Sequence, residues 1–355
     1  MASRRNIKTT KITLHKRQFG NEKQKPPPIP PLQEGANTYK DMQDKLEVLA
    51  RHFEATYRQP APPNSLSPPP SDSEDGHDQA PSEQLLPNYQ FGFRKAHSTT
   101  HAIARATHIV FNAIANKCQA AALLLYLARA FDLVHHGHLI TNLTATGISR
   151  HIICIIHSFL TNRTTQVKYQ NHLSTHHPAE AGAPQGAIFS PILFALFIRL
   201  LPIPGDVKIT LYADDTIMLA TDKNKTALSN KLKESFHIID SFFTSSGISL
   251  NIQKTKALYF SRNTADLPPP PLPLGTNLIN WSDSVRYLGV TLDPKLKISQ
   301  HIQETAGKAR RAISKIYHII SPTREIDLRT RITVFNSFVL PLLTYAAPVW
   351  TPYLR

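Results

Sequence analysis

The stretch Ile209-Thr210-Leu211-Tyr212-Ala213-Asp214-Asp215-Thr216-Ile217-Met218-Leu219-Ala220 decides how this chain can fold. Its two short apolar runs, 209–211 and 216–220, predict a pair of strands joined by a tight turn. The turn carries two adjacent carboxylates, Asp214 and Asp215. Carboxylates on a rigid turn are oxygen ligands suited to a divalent cation such as Mg²⁺. Aspartate also favours turns for conformational reasons, so the turn alone leaves both interpretations open.

Upstream of this hairpin, two segments predict the elements around it. The run 121–130 is apolar and short, which is typical of a buried central strand, and Ala130-Phe131-Asp132 ends it. The segment Gly182-Ala183-Pro184-Gln185-Gly186 contains two glycines and a proline, which bend the backbone. A helix is then expected to begin near Ser190-Pro191, because proline fits the first turn of a helix.

A further helix is expected near the segment Gln90-Phe91-Gly92-Phe93-Arg94-Lys95. Ser98 follows this segment closely and is a suitable cap for a helix that runs to Lys117. The positions Met42, Leu46 and Leu49, continued by Phe53 and Tyr57, recur at helical spacing and predict one amphipathic helix.

The bulk composition limits the classes of partner. The chain has 355 residues and a formal net charge of +15, which suggests a polyanion such as nucleic acid; a basic protein without such a partner is equally consistent. Two cysteines, Cys118 and Cys154, lack the spacing of a zinc site or a disulfide framework. We therefore expect a reducing, intracellular compartment, in the cytoplasm or nucleus, and no secretion. No apolar run is long enough to span a membrane.

Shifts in composition set the expected boundaries. Residues 1–25 carry many basic residues and a single acid, Glu22, which is typical of a disordered arm. The expected organisation is a basic and proline-rich disordered arm (1–38), an amphipathic helix (39–58), a linker rich in Pro, Ser and acidic residues (59–84), a folded region (85–262), a proline-rich linker (263–279), and a basic tail that begins as strand and continues mostly as helix (280–355).

Several long motifs resemble one known family. The chain is similar to the reverse transcriptase of non-LTR retrotransposons, of the jockey type. The matching segments, in family order, are QFGFRKAHSTTHAI, LARAFDLVHHGHL, GAPQGAIFSPILFALFI, YADDTIML, GISLNIQKTKALYFSR, VRYLGVTLDPKL and LPLLTYAAPVW. They cover most of residues 85–355, and the earlier KLEVLARHFEATY resembles the segment that precedes the polymerase in such elements.

The resemblance implies roles in catalysis and nucleotide binding. Asp214 and Asp215 would be metal ligands, and Lys254 would lie near the leaving pyrophosphate, where a lysine supplies charge or a proton. Phe131 would exclude a 2′-hydroxyl beside the sugar of the incoming nucleotide. The loop Pro184-Gln185-Gly186 would contact template and nucleotide. Without the resemblance, Lys254 would be interpreted as solvated surface and Phe131 as core.

The resemblance also implies contacts with template and primer. Tyr287-Leu288-Gly289 would be the primer grip. The basic tail would begin a thumb that holds the duplex by its phosphates. The basic residues assigned to template or primer are Arg94, Lys95, Lys308, Arg310 and Arg311.

The chain departs from the family pattern in two places. The position of a third metal-binding aspartate is occupied by Tyr126, and a phenol with a pKa of about 10 is a poor ligand for Mg²⁺. Asp132 cannot easily replace it, because six residues of extended chain span roughly 20 Å. The fingers segment that precedes QFGFR in the family is expected to be absent, since the 59–84 linker leads directly into Leu85.

The resemblance implies an α+β fold with a polymerase right-hand palm, in which helices pack on one face of an antiparallel sheet. Residues 85–262 would form reduced fingers and the palm, and 280–355 the primer grip and the start of a helical thumb. We expect no endonuclease and an incomplete thumb in these 355 residues.

The reaction that the resemblance implies is RNA-templated DNA synthesis by two-metal nucleotidyl transfer, with Mg²⁺, or Mn²⁺ as an alternative. The expected partners are RNA template, DNA primer and dNTPs, and neither a membrane nor a protein partner is indicated. Because of Tyr126 and the lost fingers, we expect a degenerate copy with impaired catalysis. The alternatives are a non-catalytic remnant that binds RNA or RNA–DNA, and a fragment without a stable fold.

Overall fold

The structure is a computed structural model, and it describes residues 8–13, 32–34, 37–58, 86–144, 146–261, 266–321 and 326–351. Its strands are Lys8–Thr13 (β1), Leu32–Glu34 (β2), Asn37–Tyr39 (β3), Gln119–Tyr126 (β4), Arg163–Tyr169 (β5), His172–Leu173 (β6), His177–Pro178 (β7), Val207–Tyr212 (β8), Asp215–Asp222 (β9), Lys256–Phe260 (β10), Leu272–Leu274 (β11), Asn277–Ile279 (β12), Val285–Tyr287 (β13) and Val290–Leu292 (β14).

The helices are Met42–Tyr57 (α1), Thr99–Ala115 (α2), His136–Thr144 (α3), Arg150–Leu160 (α4), Ser190–Phe197 (α5), Lys225–Ser245 (α6), Ser299–Ile320 (α7), Leu328–Phe338 (α8), Leu340–Thr344 (α9) and Ala347–Trp350 (α10), with a 3₁₀ turn at Ile198–Leu200. The chain divides into two compact units. Unit 1 comprises Met1–Leu85, Arg129–Leu200 and Thr244–Ile248, and unit 2 comprises Leu86–Ala128, Leu201–Phe243 and Ser249–Arg355.

Unit 2 is built on an antiparallel four-stranded sheet with the strand order β10-β4-β9-β8. Strand β4 is covered on both faces of the sheet. Successive side chains of a strand point to opposite faces, and Leu123, Leu124 and Leu125 are nevertheless all buried. The predicted buried central strand is therefore confirmed, but it spans 119–126 rather than 121–130. The two strands predicted on either side of the carboxylate turn are β8 and β9.

Helix α2 packs against this sheet and shares its core with the hairpin β13–β14 and with α10. The Ser98 side chain accepts a hydrogen bond from the His101 N–H at 3.3 Å, as predicted for a cap. The helix ends at Ala115, two residues before the predicted end at Lys117. Helix α5 begins at Ser190 with Pro191 in its first turn, also as predicted.

Unit 1 contains a second sheet centred on β5, which pairs in parallel with β1 and antiparallel with β6 and β7. Helix α1 is the predicted amphipathic helix, and its Leu46 and Ala50 pack with Val167 and Tyr169 of β5. Helices α3, α4 and α5 complete the unit, since α3 contacts both α4 and α5.

Two of the segments expected to be disordered arm or linker contain strands. The arm 1–38 contains strand β1 and the hairpin β2–β3, and the linker 263–279 contains the hairpin β11–β12. The β1 sequence KTTKIT is rich in β-branched residues, which favour strands despite its charge. In β11, Pro273 is tolerated because a two-stranded sheet consists of edge strands. The rest of the arm, and the predicted linker at 59–84 with the predicted loss of fingers, lie outside the described residues.

Candidate active site

The carboxylate turn joins β8 to β9 in unit 2. Tyr212 and Asp215 are paired across the ladder, which leaves Ala213 and Asp214 as a two-residue turn. Ala213 has a left-handed backbone conformation with φ of +56°, which an L-residue adopts only where the surroundings hold it there. The Asp214 side chain is exposed and Asp215 is half-buried, so the two carboxylates differ in their access to water.

The segment around Gly92 supports this turn. The Phe91 N–H donates to the Leu211 carbonyl at 2.8 Å, and the Leu211 N–H donates to the Tyr89 carbonyl at 2.7 Å. A Cβ atom at Gly92 would lie 2.5 Å from the Ala213 nitrogen, closer than real Cβ contacts come. Only glycine allows the two backbones to approach in this way.

The two basic residues predicted in this segment differ in their environment. The Arg94 guanidinium donates to the Pro87 carbonyl at 3.0 Å and to the Asn88 side chain at 3.4 Å. Part of its hydrogen-bonding capacity is therefore used within its own loop. Lys95 is exposed.

Tyr126 lies directly opposite Asp215, because the two residues are partners in the β4–β9 ladder. Opposed residues in an antiparallel pair are neighbours on one face of the sheet. Burial and, secondarily, the negative charge of Asp215 raise the pKa of the Tyr126 phenol, so it stays protonated. Burial and then the charge of Asp214 raise the pKa of Asp215.

The donor set around the turn has two carboxylates and one phenol. No group of three His, Cys, Asp or Glu side chains that could hold a metal ion is found within the described parts of the chain. The pair Asp214 and Asp215 fits a single divalent cation, since Mg²⁺ is often held by one or two carboxylates together with substrate oxygens. It does not fit a pair of ions that requires a third carboxylate at position 126.

A cavity of about 240 Å³ connects the carboxylate turn to the hairpin β13–β14. Its lining consists of Leu124, Leu125, Tyr126, Asp215, Thr216, Arg286, Tyr287, Leu288 and Gly289. The Tyr287 hydroxyl is buried and has no hydrogen-bond partner among the residues that the structure describes. Burial, and then the charge of Asp215, raise the pKa of Tyr287. The structure thus brings the predicted primer residues and Asp215 together around one cavity.

Tyr345 holds the turn of this hairpin, a contact that the sequence pattern does not predict. Leu288 and Gly289 both have positive φ, +44° and +83°, as a two-residue hairpin turn requires. The Tyr345 hydroxyl donates to the Leu288 carbonyl at 2.6 Å, and the Trp350 indole donates to the Tyr345 carbonyl at 2.8 Å. The segment LPLLTYAAPVW carried the signal for Tyr345, but nothing in its spacing pointed to Leu288.

Lys254 lies on a turn beside Tyr126. The Asn251 N–H donates to the Tyr126 carbonyl at 2.7 Å, and the Lys254 N–H donates to the Asn251 carbonyl at 3.1 Å. The Lys254 side chain is exposed. The predicted basic residues of the tail lie on α7, where Lys308 is half-buried and Arg310 and Arg311 are exposed.

The predicted nucleotide-binding residues form a separate group in unit 1. The Phe131 ring packs on Phe194 with centroids 4.6 Å apart. The Ala183 N–H donates to the Phe131 carbonyl at 2.8 Å, and the Gln185 side-chain amide donates to Asp132 at 3.0 Å. The pKa of Asp132 is raised by burial, against the Gln185 hydrogen bond and the charge of Arg129. Pro184 is half-buried, whereas Gln185 and Gly186 are exposed.

Residues 77–292 match the family described as "Reverse transcriptase (RNA-dependent DNA polymerase)", and the chain belongs to this family. The sheet of unit 2 is therefore a polymerase palm, and the predicted α+β fold class is confirmed. Enzymes of this family generally use divalent metal ions.

The jockey-type resemblance is confirmed by curated relatives. The chain is 29% identical over 275 residues to the RNA-directed DNA polymerase from mobile element jockey of Drosophila melanogaster, covering 75% of this chain and 30% of that protein. It is 26% identical over 275 residues to the probable RNA-directed DNA polymerase from transposon BS of the same species, again with 75% and 30% coverage. The chain thus spans about a third of the length of these relatives.

Among solved structures, the telomerase from Candida tropicalis in complex with a fragment of telomeric RNA aligns with a TM-score of 0.42 and 13% identity, over 77% of this chain and 51% of that chain. No helix in the described ranges has the length and apolar character needed to cross a membrane.

Proposed function

We propose that this chain is the polymerase domain of a jockey-like non-LTR retrotransposon and that its reaction is RNA-templated DNA synthesis. The 3′-hydroxyl of a DNA primer attacks the α-phosphate of a dNTP and releases pyrophosphate. The observation that carries the proposal is the turn with Asp214 and Asp215. Its Asp215 is the ladder partner of Tyr126 on the neighbouring palm strand and lines one cavity with the Tyr287 hairpin.

The residues around that turn receive the following roles. Asp214 and Asp215 hold a divalent cation, Mg²⁺ or alternatively Mn²⁺, which would neutralise charge on the phosphates. Lys254 supplies positive charge near the leaving pyrophosphate. The turn at Leu288-Gly289, fixed by Tyr345, holds the primer end, since it lines the same cavity as Asp215.

Residues outside the cavity bind the substrates. Phe131, held on Phe194, limits the space beside the sugar of the dNTP. The loop Pro184-Gln185-Gly186 contacts template and nucleotide. Phosphates of the RNA template and DNA primer are bound by the basic residues Arg94, Lys95, Lys308, Arg310 and Arg311.

Tyr126 makes this copy a poor polymerase. Its phenol stays protonated, because burial and Asp215 raise its pKa. It therefore offers no negative charge where the family places a third carboxylate, and transition-state stabilisation by preorganised charge is weakened. We expect the chain to extend primers very slowly with either cation.

The test is Tyr126→Asp with primer extension on poly(rA)/oligo(dT) in Mg²⁺ or Mn²⁺. We expect the variant to gain at least about tenfold in rate, because one ligand at a metal site is typically worth more than the roughly 1.4 kcal/mol that a tenfold change represents. Asp215→Asn in the Tyr126→Asp background should abolish the gain. Fast DNA synthesis by the unmodified chain would show that Tyr126 does not impair catalysis. DNA synthesis that survives Asp215→Asn would refute the assignment of Asp215 as a metal ligand.

A second function is favoured by the combination of Tyr126 with the basic helix α7, namely binding of RNA or RNA–DNA duplex without chemistry. In that case Tyr126→Asp restores no synthesis, while duplex binding persists and weakens steeply with salt. Binding that ignores salt would exclude this second function.

A further inference from the structure

The carbonyl of Gly182 in unit 1 receives two side-chain donors. His136 of α3 contacts it through Nε2 at 2.9 Å, and the Arg163 guanidinium of β5 donates to it at 2.8 Å. Both side chains belong to buried residues, each about 8% exposed. Two buried polar side chains from different elements therefore converge on one backbone atom.

This atom lies at the start of the loop that carries Pro184, Gln185 and Gly186. Gly182 has φ of +83°, and a Cβ atom there would lie 2.7 Å from the Asp132 carbonyl oxygen. Its N–H donates to the Val134 carbonyl at 2.9 Å. The N–H and the carbonyl of Gly182 belong to successive peptide groups, so Val134 holds the first group and the two side-chain donors hold the second. The Ala183 N–H of the second group donates to the Phe131 carbonyl at 2.8 Å, so that group is held on both sides and its orientation is fixed. That orientation sets the direction in which the loop leaves.

His136 can serve only as a neutral donor at this place. Burial lowers its pKa to about 4, and the charge of Arg163 acts in the same direction, against the hydrogen bond to Gly182. At neutral pH the imidazole is therefore uncharged, and the hydrogen bond to a carbonyl requires the proton on Nε2. Neither residue was singled out by its sequence pattern.

We propose that His136 and Arg163 are positioning residues that orient the loop 182–186 toward the incoming nucleotide through the Gly182 carbonyl. This inference rests on the proposed function, in which that loop contacts template and nucleotide. Their effect should therefore fall on nucleotide binding rather than on the chemical step. A purely structural role would instead lower stability and leave nucleotide binding unchanged.

The variants separate these two roles. His136→Leu removes the donor and fills the buried position with an apolar side chain, whereas His136→Gln places an amide donor near the position of Nε2. Arg163→Met removes the second donor. His135→Leu is the matched control, because His135 is as buried as His136 but its side chain accepts from the His138 N–H.

Two measurements are made on the full chain. Hydrogen exchange of the amides in 182–188 reports the order of the loop without requiring activity. Steady-state synthesis in the Tyr126→Asp background gives KM for dTTP separately from kcat. We expect His136→Leu and Arg163→Met to speed loop exchange and to raise KM by about threefold to tenfold, as the loss of one hydrogen bond implies. The kcat should change less, His136→Gln should recover most of the effect, and His135→Leu should leave KM unchanged.

Failure of this inference differs from failure of the proposed function. If Tyr126→Asp makes no DNA, the proposed function is in doubt, but exchange still judges the loop: unchanged exchange in His136→Leu and Arg163→Met would overturn the positioning role. If synthesis occurs and His136→Leu has the KM of its parent or of His135→Leu, the positioning role is likewise overturned. If His136→Leu does not fold, His136→Gln and Arg163→Met decide by the same measurements.

Discussion

At the scale of single residues, Gly92 shows that the carboxylate turn depends on a backbone contact. Gly92→Ala would bring a Cβ atom to 2.5 Å from the Ala213 nitrogen, so either the turn or the Gln90–Gly92 backbone must shift. We expect a loss of about 1–3 kcal/mol in the free energy of unfolding, the usual range for overpacking. Urea unfolding followed by circular dichroism measures the loss.

The control for this prediction is Gly205→Ala in the same unit. A Cβ atom at Gly205 meets nothing within 4 Å, so alanine should be tolerated there, with a change within about 1 kcal/mol. Equal stability of the two alanine variants would show that a side chain at position 92 is tolerated, and the prediction would be wrong.

Some residues of the site could be predicted from the sequence and others could not, for a physical reason. Asp214 and Asp215 are adjacent in a motif, and their chemistry is evident from residue type. Gly92, Tyr345 and His136 act through contacts with backbone atoms that are distant in sequence. The identity of an accepting carbonyl is not encoded in any local pattern, so only the folded structure reveals it.

At the scale of elements, helix α1 is tied to the sheet of unit 1 by His177. The His177 Nδ1 lies 2.7 Å from a Glu54 oxygen and its Nε2 lies 3.2 Å from a Glu47 oxygen. Burial lowers the pKa of His177, but the hydrogen bonds to Glu54 and Glu47 outweigh it, and the net pKa is raised above 6.5. The charged imidazole thus bridges two carboxylates on one face of α1.

This bridge predicts a pH dependence of stability. The contribution of His177 is complete below its ordinary pKa of 6.5 and is lost as pH rises through the raised value. The pKa values of Glu47 and Glu54 are lowered from 4.5, so their contribution is present above pH 4.5 and is lost as pH falls through the lowered values. We expect the bridge to contribute most between these limits, by about 1–2 kcal/mol.

The measurement compares free energies of unfolding at pH 5.5 and pH 8.5. His177→Gln should destabilise the chain more at the lower pH, and the difference should shrink at the higher pH. His172→Gln, at an exposed position on β6, should have little effect at either pH. A penalty for His177→Gln that is independent of pH would mean that the bridge does not depend on charge.

Elements were predictable where side-chain pattern and packing agree. The strands β4, β8 and β9 and the helices α1, α2 and α5 follow apolar runs, helical spacing or capping residues, and all are present. Strand β1 and the hairpin β11–β12 were not predicted, because their sequences are charged or rich in proline. Hydrogen bonds between paired backbones hold these strands together, and amino-acid composition does not indicate which backbones pair.

At the scale of the whole molecule, the net charge of +15 predicts binding to nucleic acid that depends on salt. Each phosphate neutralised by a basic side chain releases counterions, so affinity falls as salt rises. If α7 is the duplex-binding element, Lys308, Arg310 and Arg311 should carry part of this dependence. Their joint replacement by glutamine should reduce the slope of log K against log[salt] by up to about 3.

Net charge alone would bind the duplex without placing it on any one element. A matched variant distinguishes this general attraction from binding along α7. Replacing the exposed residues Lys208, Lys223 and Lys233 by glutamine removes the same charge from other parts of unit 2. Anisotropy of a labelled RNA–DNA duplex at 50 to 200 mM salt gives both slopes. If the α7 variant alone flattens the slope, the duplex lies along α7. If both variants flatten it equally, the duplex is held by the general field of a basic protein, and the assignment of α7 as a thumb contact fails.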